Sequence, residues 1–419
     1  MSTEALVAQA TSQSGDGTVR PGSDHDVIDG VRPRVVAEPR TPETLAATLG
    51  WASREQLSVL VRGGGTKLEW GGVAQACDVL LSTAALDAVV EHRHGDLTAT
   101  IQAGARLATV NAALAEHGQW LPLDPPWPER ATIGGVVATN DSGPRRHRHG
   151  APRDLIIGVT MARSDGQLSK AGGIVVKNVA GYDLSRLLTG SFGCLGVLVS
   201  ATFKLAPIAT ASRTVLVDLD SRDALSSAIA TLSSSSLTPT AMELEWRPAR
   251  LMIRFESVEA AVEQQAREAI GLVAGDSTAT ILSGDAESEL WAHAGRWEEP
   301  GTVVKLSTRP TALVATLGWL EDACDKHDLQ LAAAGRAGLG VVHVWLRGPA
   351  EGQVRVIAQL RERLPGGDGS AVIRRGDAVL RRQVDPWGPV GDSLPLMQAV
   401  KMRFDPEGTL NLGRGPGGL

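Results

Sequence analysis

Apolar positions along the chain switch repeatedly between the two spacings that separate helix from strand. In "EPRTPETLAATLGWASREQ", residues 38–56, Leu45 and Leu49 lie four apart on one helical face. Thr41 is placed as N-cap, Pro42 at the first helical position and Glu43 in the first turn, so a helix is predicted there. "SVLVR" (58–62) and "DVLLST" (78–83) are short apolar runs of strand length. "LDAVVEHRHGDLTATIQAG" (86–104) predicts a hairpin around Gly95 and Asp96, with alternation in "LTATIQ". "ARLATVNAALAEHG" (105–118) predicts a helix stopped by Gly118. Farther on, "SRTVLVDLD", "AMELEWRPARLMIRFE" and "GLGVVHVWLRG" read as strands, and "SVEAAVEQQAREAIGLVAG" and "ALVATLGWLEDACDKHD" as amphipathic helices. The class is α+β, built of short units without extended parallel βαβ alternation. The opening "MSTEALVAQATSQSGDGTVRPGSDHD" is polar, small and aperiodic, and reads as disordered or loosely attached.

Three glycine-rich stretches interrupt this pattern. "SVLVRGGGTKLEW" (58–70) runs from a strand into three consecutive glycines, which are costly to order. It matches neither G-x-x-x-x-G-K-[ST] nor a helix-opening G-x-G-x-x-G. Successive backbone N–H groups in such a turn can form an anion-binding nest, and a tight ligand-free loop between strands is the alternative. "ATIGGVVATNDSG" (131–143) follows a Pro-rich stretch and carries few bulky side chains. "LTGSFGCLGVLVSATFKLAP" (188–207) repeats the theme before a strand. Three such loops, each beside a β-like run, suggest one extended ligand the size of a dinucleotide.

Composition excludes several classes. The 419 residues suffice for two or three domains, and a net charge of −6 gives no basic field for nucleic acid. Cys77, Cys194 and Cys324 are scattered without a C-x-x-C, so neither a disulfide framework nor an iron–sulfur or zinc cluster of the chain's own is supported. No apolar run reaches membrane-spanning length and no signal-peptide pattern opens the chain, which points to a cytoplasmic protein without a direct membrane span.

"VRGGGTKL", "ATIGGVVATNDSGPRRHRHGAPRDLIIGVTMARSDGQ" and "GGIVVKNVAGYDLSRLLTGSFGCLGVL" together resemble the PCMH-type FAD-binding domain of the vanillyl-alcohol oxidase superfamily. More narrowly, "SGPRRHRHG" and "VKNVAGYDLSRLLTGSFG" resemble the FAD-binding subunits of bacterial glycolate oxidase (glycolate dehydrogenase). The resemblance implies a two-part FAD-binding domain over 30–209, an α+β cap domain over 210–395 and a C-terminal segment, 396–419, returning to the FAD domain, with 1–29 as the loose N-terminal segment. It implies that Arg62, Gly63, Gly64, Gly65, Thr66 and Leu68 wrap the diphosphate. Pro125, Thr132, Gly134, Gly135, Thr139 and Ser142 would line the flavin side, and Gly150, Gly193, Gly196 and Val197 would pack around the ribityl or adenine portions. Arg62 could also turn away as an ordinary strand-end residue. Covalent members of the superfamily place His where Thr66 stands, and Thr66 cannot form that bond, so the expected FAD is non-covalent. The tail "MRFDPEGTLNLGRG" is similar to the family's ending, with Leu412 where Pro is usual. The basic run "RRHRH" (145–149) reads as a solvated or partner-facing loop, or as positive charge near anionic flavin or a carboxylate.

Catalytic subunits of the related FAD-linked 2-hydroxyacid oxidases carry H-A-G-D-G-N-x-H in the cap. "RAGLGVVH" (336–343) stands in the corresponding place, with Arg336 for the first His, Leu339 for Asp and Val341 for Asn, while Gly338, Gly340 and His343 remain. Arg336 and His343 are therefore the weak catalytic candidates; no metal is expected. The implied role is the FAD subunit of a complex oxidising glycolate to glyoxylate, beside a sister FAD-linked catalytic subunit and an iron–sulfur subunit, membrane-associated at most through those partners. The alternative is a self-sufficient FAD-dependent 2-hydroxyacid dehydrogenase using the cap site.

Overall fold

A computed structural model describes residues 2–174, 181–273, 275, 277–297, 299–364 and 369–419. The stretch "VVKNVA" (175–180), part of a motif quoted above, lies outside the described residues. The chain divides into two units: Met1–Ser142 with Ala151–Ile208 and Pro389–Leu419, and Gly143–Gly150 with Ala209–Gly388. The basic run 145–149 thus belongs with the second unit, not with the sequence on either side of it.

The first unit holds two main sheets. In one, β1 (Thr18–Pro21) runs antiparallel to β2 (Val35–Glu38), and β2 and β3 (Val59–Arg62) both run parallel to β4 (Val79–Ser82), in the order β1-β2-β4-β3. The three parallel strands are buried runs of Val, Leu and Ala, as a sheet covered on both faces requires. Helix α2 (Pro42–Arg54) makes the crossover between β2 and β3, and Thr41 caps it, its hydroxyl accepting from Thr44 N at 3.1 Å. The second sheet is antiparallel, ordered β5-β6-β10-β8-β9, from β5 (Val89–Arg93), β6 (Thr98–Gln102), β8 (Ile156–Ala162), β9 (Leu168–Gly172) and β10 (Val197–Lys204). A short pair, β7 (Gln119–Trp120) with β11 (Ala206–Pro207), flanks it. The predicted hairpin is β5–β6, and the helix before Gly118 is α3 (Leu107–Ala115).

Two local expectations are corrected. The N-terminal segment is ordered: α1 (Thr3–Ser14) buries Leu6, Ala10 and Ser14, and Trp51 donates from Nε1 to Gln9 Oε1 at 3.2 Å. Its apolar stripe is only two residues wide, Leu6 and Ala10 at a spacing of four, and tertiary packing supplies what periodicity lacks. The stretch 131–143 is not a loop throughout. Residues Ile133–Thr139 form α4, whose first N–H groups are taken by the neighbouring chain, Ile133 N by Ala105 O at 2.9 Å and Gly134 N by Ala103 O at 2.7 Å, an approach that leaves room for no Cβ at Gly134.

The C-terminal tail is tied into the first unit by polar contacts. Lys401 Nζ donates to Cys194 O and Leu410 O, each at 2.9 Å, and to Asp405 Oδ2 at 2.6 Å. Asn411 accepts from Val61 N at 3.0 Å and donates to Phe192 O at 2.6 Å, joining β3 to the turn before β10.

The second unit is one eight-stranded antiparallel sheet, ordered β15-β12-β14-β13-β17-β18-β16-β19. Its strands are β12 (Ala211–Asp218), β13 (Ala241–Glu245), β14 (Arg250–Ser257), β15 (Ala279–Leu282), β16 (Thr302–Thr308), β17 (Gln330–Arg336), β18 (Val341–Arg347) and β19 (Gly369–Arg375). One face carries Val215, Leu244, Ile253, Leu306, Val342, Val344 and Ile373 into a core with helices Arg222–Ser234, Glu259–Val273, Pro310–Lys326 and Ala350–Glu362. By the two-residue alternation of strands, the intervening positions Glu243, Arg254, Glu256, Arg336, His343 and Lys305 point to the other face.

Candidate functional site

The three glycine-rich stretches of the first unit line one cavity of about 870 Å³, counting space open to solvent. Gly63, Gly64, Gly65, Thr66 and Leu68 come from the loop after β3; Thr132, Gly134, Gly135 and Thr139 from α4 and its cap; Gly193, Gly196 and Val197 from the turn into β10.

The glycines answer to the chain as well as to the space. A Cβ on Gly63 would stand 2.2 Å from Thr132 Oγ1, one on Gly64 1.8 Å from Arg130 O, and one on Gly193 2.4 Å from Asn411 Nδ2. The loop after β3 is thus pressed onto residues 130–132. Gly64 N donates to Thr132 Oγ1 at 3.3 Å. Among the described residues, the N–H groups of Gly63, Gly65 and Thr66 have no acceptor. Backbone donors are left unpaired only where a ligand or water meets them. Gly65, at φ +74°, gives the turn its left-handed step. The loop therefore fits an anionic diphosphate.

Four expected residues lie outside this lining. Arg62 Nη1 donates to Asp26 Oδ1 at 3.0 Å; Asp26, 2% exposed, also receives both terminal nitrogens of Arg20 and the N–H and hydroxyl of Ser23. The Arg20 hydrogen bond, with help from Ser23 and Arg62, holds the Asp26 carboxyl well below its ordinary value against the opposing push of burial. Arg62 is spent on the fold. Pro125 is buried without lining the cavity, Ser142 donates its N–H to Asp141 Oδ1 at 2.9 Å, and Gly150 belongs to the second unit.

Sequence reasoning missed Lys67, Asn411 and Arg414, all of which line the cavity. Lys67 follows the glycine loop directly, and the other two lie in the quoted tail. Arg414 Nη1 donates to Asp29 Oδ2 at 3.1 Å, and its Nη2 to Leu68 O and Trp70 O at 2.6 and 2.8 Å. Lys67 Nζ donates to Thr66 Oγ1 at 3.0 Å and stands 3.2 Å from Asp141 Oδ2, outside hydrogen-bond geometry.

In the second unit, "RAGLGVVH" is the end of β17, a tight turn and the start of β18. Arg336, 3% exposed, directs Nη2 at His343 Nδ1 across 3.3 Å, and its Nε lies 3.9 Å from Glu243 Oε1. Burial, followed by the charges of Arg336, Arg374 and Lys305, drives the His343 imidazole well below its ordinary value, so the ring is neutral. A guanidinium only donates, so Nδ1 accepts and the ring proton sits on Nε2.

The basic run is not a solvated loop. Arg145 grips Glu256 with two bonds, Nε to Oε2 at 3.0 Å and Nη2 to Oε1 at 2.7 Å. Burial pushes the Glu256 carboxyl up, but Arg145 and Arg254 outweigh it and hold it below its ordinary value. His147 packs over Gly338, where an added Cβ would stand 2.7 Å from its Cε1, and burial lowers its imidazole below the ordinary 6.5.

The family model described as an FAD binding domain matches residues 33–172. Glycolate oxidase subunit GlcE of Escherichia coli is 32% identical over 312 residues, spanning 72% of this chain and 82% of that protein. Glycolate oxidase subunit GlcD of Bacillus subtilis is 26% identical over 420 residues, spanning 91% of this chain and 88% of the other. Among solved structures, a carbohydrate oxidase from Microdochium nivale superposes with a TM-score of 0.74 at 15% identity, covering 98% of both chains, a likeness of fold. No helix among the described residues is long and apolar enough to cross a membrane.

Proposed function

Because the chain belongs to the family of FAD-linked oxidoreductases that includes glycolate oxidase subunit GlcE, we propose that it is the FAD-carrying accessory subunit of a complex that oxidises a small 2-hydroxyacid, glycolate, to glyoxylate. Its partners on this reading are a sister FAD-linked catalytic subunit and an iron–sulfur subunit. On this reading the hydride leaving the substrate's α-carbon goes to the flavin of the sister subunit, and FAD bound to this chain would supply a further redox group to the complex. The loop of Gly63 to Thr66 would hold its diphosphate through unpaired N–H groups.

One observation carries the accessory role: the His343 lone pair faces Arg336 at 3.3 Å. A base for the hydroxyl proton needs an open lone pair within reach of that proton. His343 offers an N–H instead, and Arg336 is buried against it with Glu243 nearby, so neither replaces the groups missing from "RAGLGVVH".

The test is anaerobic mixing of glycolate with the purified chain and, separately, with the assembled complex, following flavin absorbance. The isolated chain should bleach at least about 10²-fold more slowly, the low end of a general base's contribution. Equal rates would make this chain a self-sufficient 2-hydroxyacid dehydrogenase.

A further inference from the structure

Lys67 and Asp141 form an ion pair inside the first unit, with side chains 7% and 5% exposed. Such a pair gives up hydration on both groups, and an apolar pair of similar volume is often as stable or more so. Its position at a cavity wall points to a use beyond folding. Three features of the site supply one. Lys67 itself lines the cavity, whereas Asp141 stands behind it. The ammonium is held from several sides, by Thr66 Oγ1 at 3.0 Å, Asp141 Oδ2 at 3.2 Å and the Trp70 ring with its centroid at 5.6 Å. It lies next in sequence to the unpaired N–H groups of Gly65 and Thr66.

An ammonium carries three donors, and Thr66 takes one. The other cation lining the cavity among the described residues, Arg414, is turned onto Asp29 and two backbone carbonyls. We propose that Lys67, positioned by Asp141, donates a hydrogen bond to the diphosphate of bound FAD, adding a full charge to the partial charges of the glycine loop. This rests on the reading of the cavity as the FAD site. Asp141 keeps the ammonium in place and balances its charge before the cofactor arrives.

The test is calorimetric titration of the full-length apoprotein with FAD, ADP and riboflavin, comparing wild type with the double variant Lys67→Met/Asp141→Asn. Removing both charges together avoids stranding a buried carboxylate. FAD and ADP should each bind about 10- to 100-fold more weakly, the loss of one charge-assisted bond. Riboflavin affinity and the thermal midpoint of the apoprotein should not change. Unchanged ADP binding, with a shift in the flavin's midpoint potential, would move Lys67 to the ring and overturn the proposal. Equal weakening of all three ligands with a lower thermal midpoint would reduce the pair to a structural role, and no change in any ligand would remove Lys67 from the site. A wild-type chain that takes up no FAD would remove the cavity reading, and this proposal with it.

Discussion

Gly64 and Gly65 are neighbours in one loop, yet the structure separates what a side chain would do at each. At Gly64 a Cβ would meet the Arg130 carbonyl oxygen at 1.8 Å, a backbone atom that cannot turn away. Gly64→Val should therefore lower the thermal midpoint of the apoprotein itself, and flavin loss would follow from damage to the fold. At Gly65 only Leu68 Cδ1 is near, at 3.8 Å, and the obstacle is φ of +74°. Gly65→Ala should cost about 1–2 kcal/mol, the left-handed penalty for a residue with a Cβ. An apoprotein of Gly64→Val as stable as that of Gly65→Ala would contradict this contact. His147 makes a pH prediction. Burial keeps its folded imidazole below 6.5 while the unfolded chain takes up a proton near that value, so stability falls as pH drops below about 6.5. His149 and His343 shift in the same direction, burial being the largest cause in each. His147→Gln should lose less stability than wild type in urea unfolding between about pH 7.5 and 5.5, by at most about 1.4 kcal/mol per pH unit for the one group. Parallel losses in the two proteins would clear His147 of this role.

Among elements, α2 and α4 show where local signals suffice. Thr41, Pro42 and the Leu45–Leu49 stripe specify α2 from its own residues, through a cap, a pre-set φ and a buried face. The helix at 133–139 contains two glycines, each costing about 1 kcal/mol in a helix interior, so its own residues argue against it. Contacts with Ala103, including Gly134 N to Ala103 O at 2.7 Å, decide the matter. Helix α1 is the same case at the N-terminus: Leu6 is fully buried, in a cluster with Leu45 and Leu49 of α2. Leu6→Ala should cost about 2–5 kcal/mol, the usual range for deleting a core leucine. Urea unfolding followed by circular dichroism would report it. A loss below about 0.5 kcal/mol, the scale of an ordinary surface substitution, would return α1 to the loosely attached segment expected from its composition.

At the scale of the whole molecule, the proposed complex sets the next expectation. His343→Ala should leave glycolate turnover of the assembled complex within a few-fold of wild type, because its lone pair is directed at Arg336. A fall beyond about 10²-fold at unchanged flavin content would make it a catalytic base. The α+β class, the strand–glycine junctions and the alternating strands of the second unit were legible in the sequence, since period, caps and turn residues act over a few positions. So were twelve residues of the cavity wall, through the order and spacing of three motifs. Arg62 shows the limit of that reading: its type and place suit a phosphate, but Asp26, far away in sequence, takes its guanidinium. Lys67 shows the converse, an unremarked lysine that becomes part of the wall through Asp141, brought beside it by the fold. What the sequence by itself determined was which backbone could be helix, strand or bare loop. Only the tertiary structure decided which charges meet, because an ion pair depends on distances between segments that no local pattern encodes.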